Sequence, residues 1–176
     1  MRKIYYLILL ALVSFNWVSA QEKINWIDIK QALNNNQQEP RKIIVDVYTD
    51  WCGWCKVMDR TTYSDTNIVN YINKTYYAVK FNAEQKEDIV LGDKTYKFVS
   101  NGSRGYHELA AALLSGNMGY PSTVIINEKN EIIQVKQGYI KAKQFDEMIN
   151  FFGGNYHITS NYNEFLKNYS SPVPEI

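Results

Sequence analysis

Short apolar runs alternate along this chain with stretches of helical period, and the alternation predicts its elements. Lys42 to Tyr48 (KIIVDVY) is a mostly β-branched run that predicts a buried central strand, interrupted by one acid, Asp46. Before it, Trp26 to about Asn35 reads as a helix capped by Asn25, with Asp28 in its first turn and the asparagine run through Pro40 ending it. After it, Cys52 to about Thr62 and Asn67 to Tyr76 read as helices, the second capped by Asp65 or Thr66, and Tyr77 to Phe81 as the next strand. Glu84 to Arg104 is polar, is broken by Gly92 and Asn101-Gly102, and holds one strand-like piece, Tyr96 to Val99. Tyr106 to Leu114 is a helix, Ser122 to Ile126 and Glu131 to Lys136 a hairpin, and Ala142 to Phe152 a helix closed by Gly153-Gly154. In the tail, Tyr162, Phe165, Leu166 and Tyr169 fall at helical spacing, which predicts one docked helix. Strands alternating with helices predict an α/β architecture, a central sheet covered on both faces.

The N-terminus follows a different pattern. Arg2 and Lys3 precede an apolar run (IYYLILLALV), and Val18-Ser19-Ala20 ends in small residues. This is the form of a secretory signal peptide, expected to be cleaved after Ala20; an uncleaved N-terminal anchor is the alternative. The division expected is a signal peptide at 1–20, a domain at 21–154 with an insertion at about 84–104, and a C-terminal extension packed on it at 155–176. No later segment is apolar enough to span a bilayer. Removing the leader leaves 17 basic against 18 acidic residues, too little positive charge to grip a phosphate backbone, so nucleic acid is not an expected partner. The 176-residue length suits one core-forming domain, expected to be monomeric, and 14% aromatic residues exclude a disordered chain. Two cysteines cannot make a disulfide scaffold.

Those two cysteines carry the chemistry. In Trp51-Cys52-Gly53-Trp54-Cys55-Lys56 they stand three apart, after a buried strand and at the start of a helix. Free N–H groups and the positive dipole end there favour thiolate over thiol. Cys52, first and outermost, is expected to attack; Cys55, one turn inside and buried, is expected to resolve the mixed disulfide. Lowering a thiol pKa from about 8.5 to about 7 takes the thiolate fraction at pH 7 from a few per cent to roughly half. Two plainer readings compete. A structural disulfide across three residues would restrict the unfolded chain very little. A zinc site would need further ligands, and only His107 and His157 are on offer, at no recognised spacing. His107 itself reads as a surface or satisfied core residue.

The run Ile44 to Lys56 resembles the active-site strand and helix of the thioredoxins, and the resemblance extends over roughly Ile43 to Phe152 in element order. It implies a thioredoxin fold, a mixed β-sheet flanked by helices. The Cys-Gly-Trp-Cys-Lys form with Met58 looks most like exported thioredoxin-like proteins and the C-terminal domain of the transmembrane thiol transporter. Asp46 then falls where the family buries an acid beneath the disulfide, suited to exchange the Cys55 proton, and Lys80 matches its lysine partner. Tyr120-Pro121 matches the cis-proline that presents a backbone edge to extended substrate. Gly119 and Gly138 match glycines where backbone approaches closely. Trp51, Gly53 and Trp54 complete the substrate-facing surface, Trp51 as a platform and Trp54 in the position that tunes potential and access. No cofactor is expected beyond the Cys52–Cys55 disulfide. The insertion at 84–104 and the tail depart from the family and put partner identity in doubt.

The function expected is an exported, periplasmic reductase of protein disulfides, with a membrane thiol transporter as electron donor. An oxidase or isomerase, or a non-catalytic binding module, are the alternatives.

Overall fold

The computed structural model describes residues 22–102 and 104–175. The segment read as a signal peptide lies outside them; among the described residues no helix is long and apolar enough to cross a membrane. Five strands form the central sheet: β1 (Trp26–Ile27), β3 (Tyr76–Asn82), β2 (Lys42–Tyr48), β8 (Ser122–Ile126) and β9 (Ile132–Gln137), in that spatial order. β1, β3 and β2 run parallel, and β8 and β9 are antiparallel additions. Between β3 and β8 lie two small hairpins, β4 (Ile89–Leu91) with β5 (Lys94–Tyr96), and β6 (Phe98–Asn101) with β7 (Arg104–His107).

Strand alternation assigns each sheet face its helices. From β2, Ile43, Val45 and Val47 point into one apolar cluster with α1 (Ile29–Gln38) and α4 (Glu108–Leu113). Ile44 points to the other side, toward α2 (Gly53–Thr61), α3 (Thr66–Thr75) and α5 (Ala142–Gly153). Asp46 shares that second face. β2 is therefore covered on both sides, as a run of seven residues with no polar alternation requires.

The tail adds α6 (Tyr156–Thr159) and α7 (Tyr162–Asn168). Phe165 of α7 is buried against Phe151 at a ring separation of 5.3 Å. Beyond it, Tyr169 and Ser171 donate to the buried carboxylate of Asp146, at 2.8 and 2.6 Å. At the start of β2, the buried ammonium of Lys42 donates to Asn155 (2.6 Å) and to Glu128 (2.7 Å), fastening the beginning of the tail.

Three sequence expectations are corrected. The first helix begins at Ile29, with Asp28 as its cap accepting the Gln31 N–H at 2.9 Å; Trp26 and Ile27 leave the helical pattern because they pair with Ala78 and Val79. The stretch read as a loop with one strand-like piece instead holds β4, β5, β6 and the start of β7, paired antiparallel as β4 with β5 and β6 with β7. Tyr106 and His107 finish β7, and His107 is the cap of α4. Its Nδ1 accepts the Leu109 N–H at 3.2 Å, its Nε2 lies 3.0 Å from the Glu87 carbonyl, and it is fully buried, a satisfied core histidine.

The second hairpin is closed by a contact only glycine permits. Gly105 faces Ser100 across the ladder, and a Cβ there would stand 2.2 Å from the Phe98 ring and 2.5 Å from the Val99 carbonyl oxygen. Gly105→Ala is therefore expected to cost about 1–3 kcal/mol, the range for forcing an extra methyl into a packed site. Urea unfolding checks this, and a loss below about 0.5 kcal/mol would show that the hairpin yields freely.

Candidate active site

β2 ends at Tyr48, and the chain turns through Thr49 to Trp51, where the Thr49 carbonyl accepts the Cys52 N–H at 3.1 Å. Cys52 is the N-cap of α2, and its sulfur accepts the Cys55 N–H at 3.1 Å. Cys52 and Cys55 form a disulfide with their Cα atoms 5.3 Å apart. An N–H of the first helical turn thus already points at the Cys52 sulfur, the arrangement that stabilises a thiolate once the bond is reduced. Burial does not separate the two cysteines as expected: Cys52 is 4% exposed and Cys55 3%. Their positions do separate them, since Cys52 caps the helix and Cys55 sits inside its first turn.

The surroundings are aromatic and open. Trp51 and Trp54 are 58% and 62% exposed. Trp51 meets Tyr120 edge to face at 6.1 Å, and Trp54 lies 5.4 Å from Tyr139. Burial first, then the Glu84 carboxylate, push the Tyr120 hydroxyl up to about 12, so it stays neutral. The Tyr120–Pro121 bond is cis, as the resemblance implies. A Cβ on Gly53 would meet nothing within 4 Å, so glycine there leaves open space beside the disulfide. Gly138 is not a site of close approach; its positive φ of 89° is what calls for glycine. At Gly119 an added Cβ would meet only the Gln137 side chain, at 3.4 Å.

Beneath the helix, Asp46 is 1% exposed. Parallel pairing sets Lys80 of β3 beside it, antiparallel pairing sets Thr123 of β8 on its other side, and Lys80 Nζ lies 3.0 Å from Asp46 Oδ2. Burial raises the proton affinity of Asp46, and the Lys80 ammonium offsets only part of this. For Lys80, burial pulls the other way, but Asp46 and Asp59 outweigh it and hold the ammonium charged.

Three parts of this arrangement had escaped the sequence reading. Asp59 of α2 bonds Lys80 from the solvent side, so the lysine is shared between an inner and an outer carboxylate. The rings of Trp26, Tyr48 and Tyr63 surround the ammonium at 5.1, 5.3 and 5.4 Å. The hydroxyls of Tyr63 and Thr123 are buried, as is Asp46 Oδ1, and none has a hydrogen-bond partner among the described residues. Asp59 could have been suspected from its place one helical turn after Cys55; the rings converge from three separate segments, and no local pattern announces them.

Cysteine pair, helix terminus, buried acid and cis-proline stand together on one sheet end, and the chain is a thioredoxin-superfamily protein with the Cys-X-X-Cys pair of the thiol–disulfide oxidoreductases. The solved structures it resembles bear out the fold: a thioredoxin from Thermus thermophilus (TM-score 0.58, 17% identity, 77% of this chain and 93% of that one), a DsbH oxidoreductase (0.54, 16%, 74% and 85%) and a putative disulphide-isomerase from Bacteroides thetaiotaomicron (0.52, 21%, 74% and 95%). Residues 13–170 match the Thioredox_DsbH family model, described as a protein of unknown function, DUF255, and the chain belongs to that family. Over 53 residues it is also 32% identical to the thiol:disulfide interchange protein DsbD of Pseudoalteromonas atlantica, a match covering 30% of this chain and 9% of that protein.

The raised proton affinity of Asp46 has a signed consequence for stability. Folding takes up a proton in the interval between the ordinary carboxylate value and that of folded Asp46, so stability falls as pH rises through it and stays lower above it. Asp46→Asn is expected to remove that slope and to raise stability above the interval by about 1–3 kcal/mol, the usual cost of an incompletely paired buried polar group. Lys80→Met, which strips Asp46 of its counter-charge, is expected to move the fall to higher pH. Urea unfolding across pH 4–9 reads both; an Asp46→Asn profile parallel to that of the unaltered protein would exclude Asp46 as the group responsible.

Proposed function

We propose that the protein is an exported reductase of protein disulfides. Cys52 is the attacking thiolate: it bonds one sulfur of a substrate disulfide, and the other substrate sulfur leaves as a thiolate. Cys55 then gives its proton to Asp46 and attacks Cys52, re-forming the Cys52–Cys55 disulfide and releasing the second substrate thiolate. Two electrons pass from the pair to the substrate, and the released thiolates take up two protons. The observation that carries this reading is the Cys52–Cys55 disulfide at a helix N-terminus, with the Cys55 N–H on the Cys52 sulfur and Asp46 buried below.

Asp46, with Lys80 as its counter-charge, is the proton acceptor of the resolving step. Trp51, Gly53, Trp54, Tyr120 and Pro121 are the surface on which substrate lies, extended beside the cis-proline edge. No further cofactor takes part. A reductase outside the cytoplasm needs an electron supply. The likeness to an interchange protein, together with the signal-like leader, supports a membrane thiol transporter as donor and the periplasm as location, with the protein acting as a soluble monomer.

The reduction potential of the pair tests the direction of flow. Equilibration in glutathione or dithiothreitol buffers is expected to give a value near that of thioredoxin, about −270 mV; a value near about −120 mV would make the protein an oxidant instead. Cys52→Ser is expected to abolish insulin reduction while leaving the fold intact by circular dichroism. Residual turnover above about a hundredth of the original rate would remove Cys52 from the attacking role.

A further inference from the structure

The two-hairpin insertion is fastened against the active-site loop. Ala83 donates to the Tyr48 carbonyl at 2.8 Å, His107 to the Ala83 carbonyl at 2.6 Å, and Glu108 to the Lys97 carbonyl at 2.8 Å. Both carboxylate oxygens of Glu84 lie 3.1 Å from the Trp51 indole nitrogen and accept its N–H. Between the loop before Cys52 and the second hairpin this leaves an open groove of about 500 Å³, with Trp51 and Glu84 on one side and Phe98 and Arg104 on the other. A groove held by backbone bonds on one side and by one indole N–H shared between two carboxylate oxygens on the other is formed before any substrate arrives.

The charges in the groove are unevenly used. Its carboxylates are engaged by N–H donors, Glu84 by Trp51 and Asp50 by Asn82 at 3.1 Å. Among the described residues neither of its two cations, Lys86 and Arg104, is paired with a carboxylate. The Arg104 guanidinium carbon stands 5.6 Å from the Trp51 ring centre, and the Lys86 ammonium 2.9 Å from that of Phe98. Both side chains are exposed, and stacking on a ring face leaves the N–H donors at the cation's edge available. The groove carries two acids and two bases, but its acids already accept from Trp51 and Asn82, so the unused capacity next to Cys52 lies in the donors of Arg104 and Lys86.

We propose that this groove is a specificity subsite, taking an aspartate or glutamate side chain of the polypeptide whose disulfide reacts at Cys52. The proposal rests on the disulfide-exchange reading of Cys52 for its setting and on the groove alone for its chemistry. Trp51 joins the two: its ring borders the groove and carries Arg104, and it immediately precedes the attacking cysteine. An acidic residue bound there by Arg104 and Lys86 would lay the adjoining substrate segment across Trp51 toward the cysteine pair.

The test uses two peptides identical except for glutamate or lysine at the positions flanking a single disulfide, and serine-for-cysteine versions of both for binding alone. With the ¹⁵N-labelled protein, the Trp51 indole N–H is expected to shift with the glutamate peptide and to stay in place with the lysine peptide. The glutamate-to-lysine ratio of kcat/KM is expected to fall about fivefold for each cation removed in Arg104→Ala and Lys86→Ala, the upper range for an exposed charge pair. The double charge reversal Arg104→Glu, Lys86→Glu is expected to invert the preference, which an unfolded variant cannot do. Equal binding of the two peptides by the unaltered protein, or a preference that survives the reversal, would overturn the subsite. Selective binding of the glutamate peptide without turnover of either would uphold the subsite and reject the reductase reading.

Discussion

The rest of the structure is arranged around one buried charge. β2 is the central strand, with helices on both faces, and Val45 and Val47 on either side of Asp46 are apolar, yet Asp46 is held there at 1% exposure. A carboxylate in such a place persists only if it is partly neutralised. The sheet supplies the partner through its register: parallel pairing puts Lys80 beside Asp46, and a slip by one residue would turn Lys80 to the opposite face. The side chain of Lys80 then runs outward to Asp59 and into the cage of three rings. A group that is costly to bury is thus matched by the register of β3, by Asp59 in the last turn of α2 and by the N-terminal strand, which contributes Trp26.

The same arrangement separates two traffics at the cysteine pair. In the proposed function substrate approaches from the side of Trp51, Trp54 and Tyr120, whose rings flank the cysteine loop. Asp46 is linked through Lys80 to Asp59, and that side opens to solvent in a pocket lined by Trp26, Asp59, Tyr63 and Lys80. A polypeptide laid over Trp51 and Trp54 would leave that second side open, since neither ring lines it. For a disulfide exchange in which a proton must move while a polypeptide lies over the cysteines, this separation has a direct use.

How much of this was legible in the sequence depended on the range of the forces involved. β2 and β8 have the bounds their β-branched runs predict, because a strand buried on both faces is defined by its own composition. The cysteine pair and the helix start were equally plain, since spacing and dipole act within one turn. What failed was set by distant partners. Trp26 and Ile27 carry a helical pattern, but β3 offers them a strand. The insertion looked like loop because its strands are three or four residues long, although Gly92 and Gly102, with φ of 58° and 62°, sit at the turn positions of the two hairpins and were visible as turn residues. His107 reads as part of the opening turn of a helix and is its cap, because β7 pairing holds Tyr106 and His107 in the strand and the helix starts at Glu108, two residues later than expected.

The tail shows why a departure from a minimal fold need not be an appendage. Its two helices bring Asn155 to the buried ammonium of Lys42, and Tyr169 and Ser171 to the buried carboxylate of Asp146. Both buried groups belong to the main fold, one at the start of β2 and the other on α5. Without the tail, Lys42 would keep Glu128 and Asp146 would keep Asn150, so each would lose part of its hydrogen bonding while apolar neighbours remained around it. The pairing of these two buried groups is thus complete only with the tail in place. At residue 84 the case differs: Glu84 holds Trp51 by its indole N–H, but that ring is exposed and water would pair it equally well, so the contact orients Trp51 rather than completing a buried network.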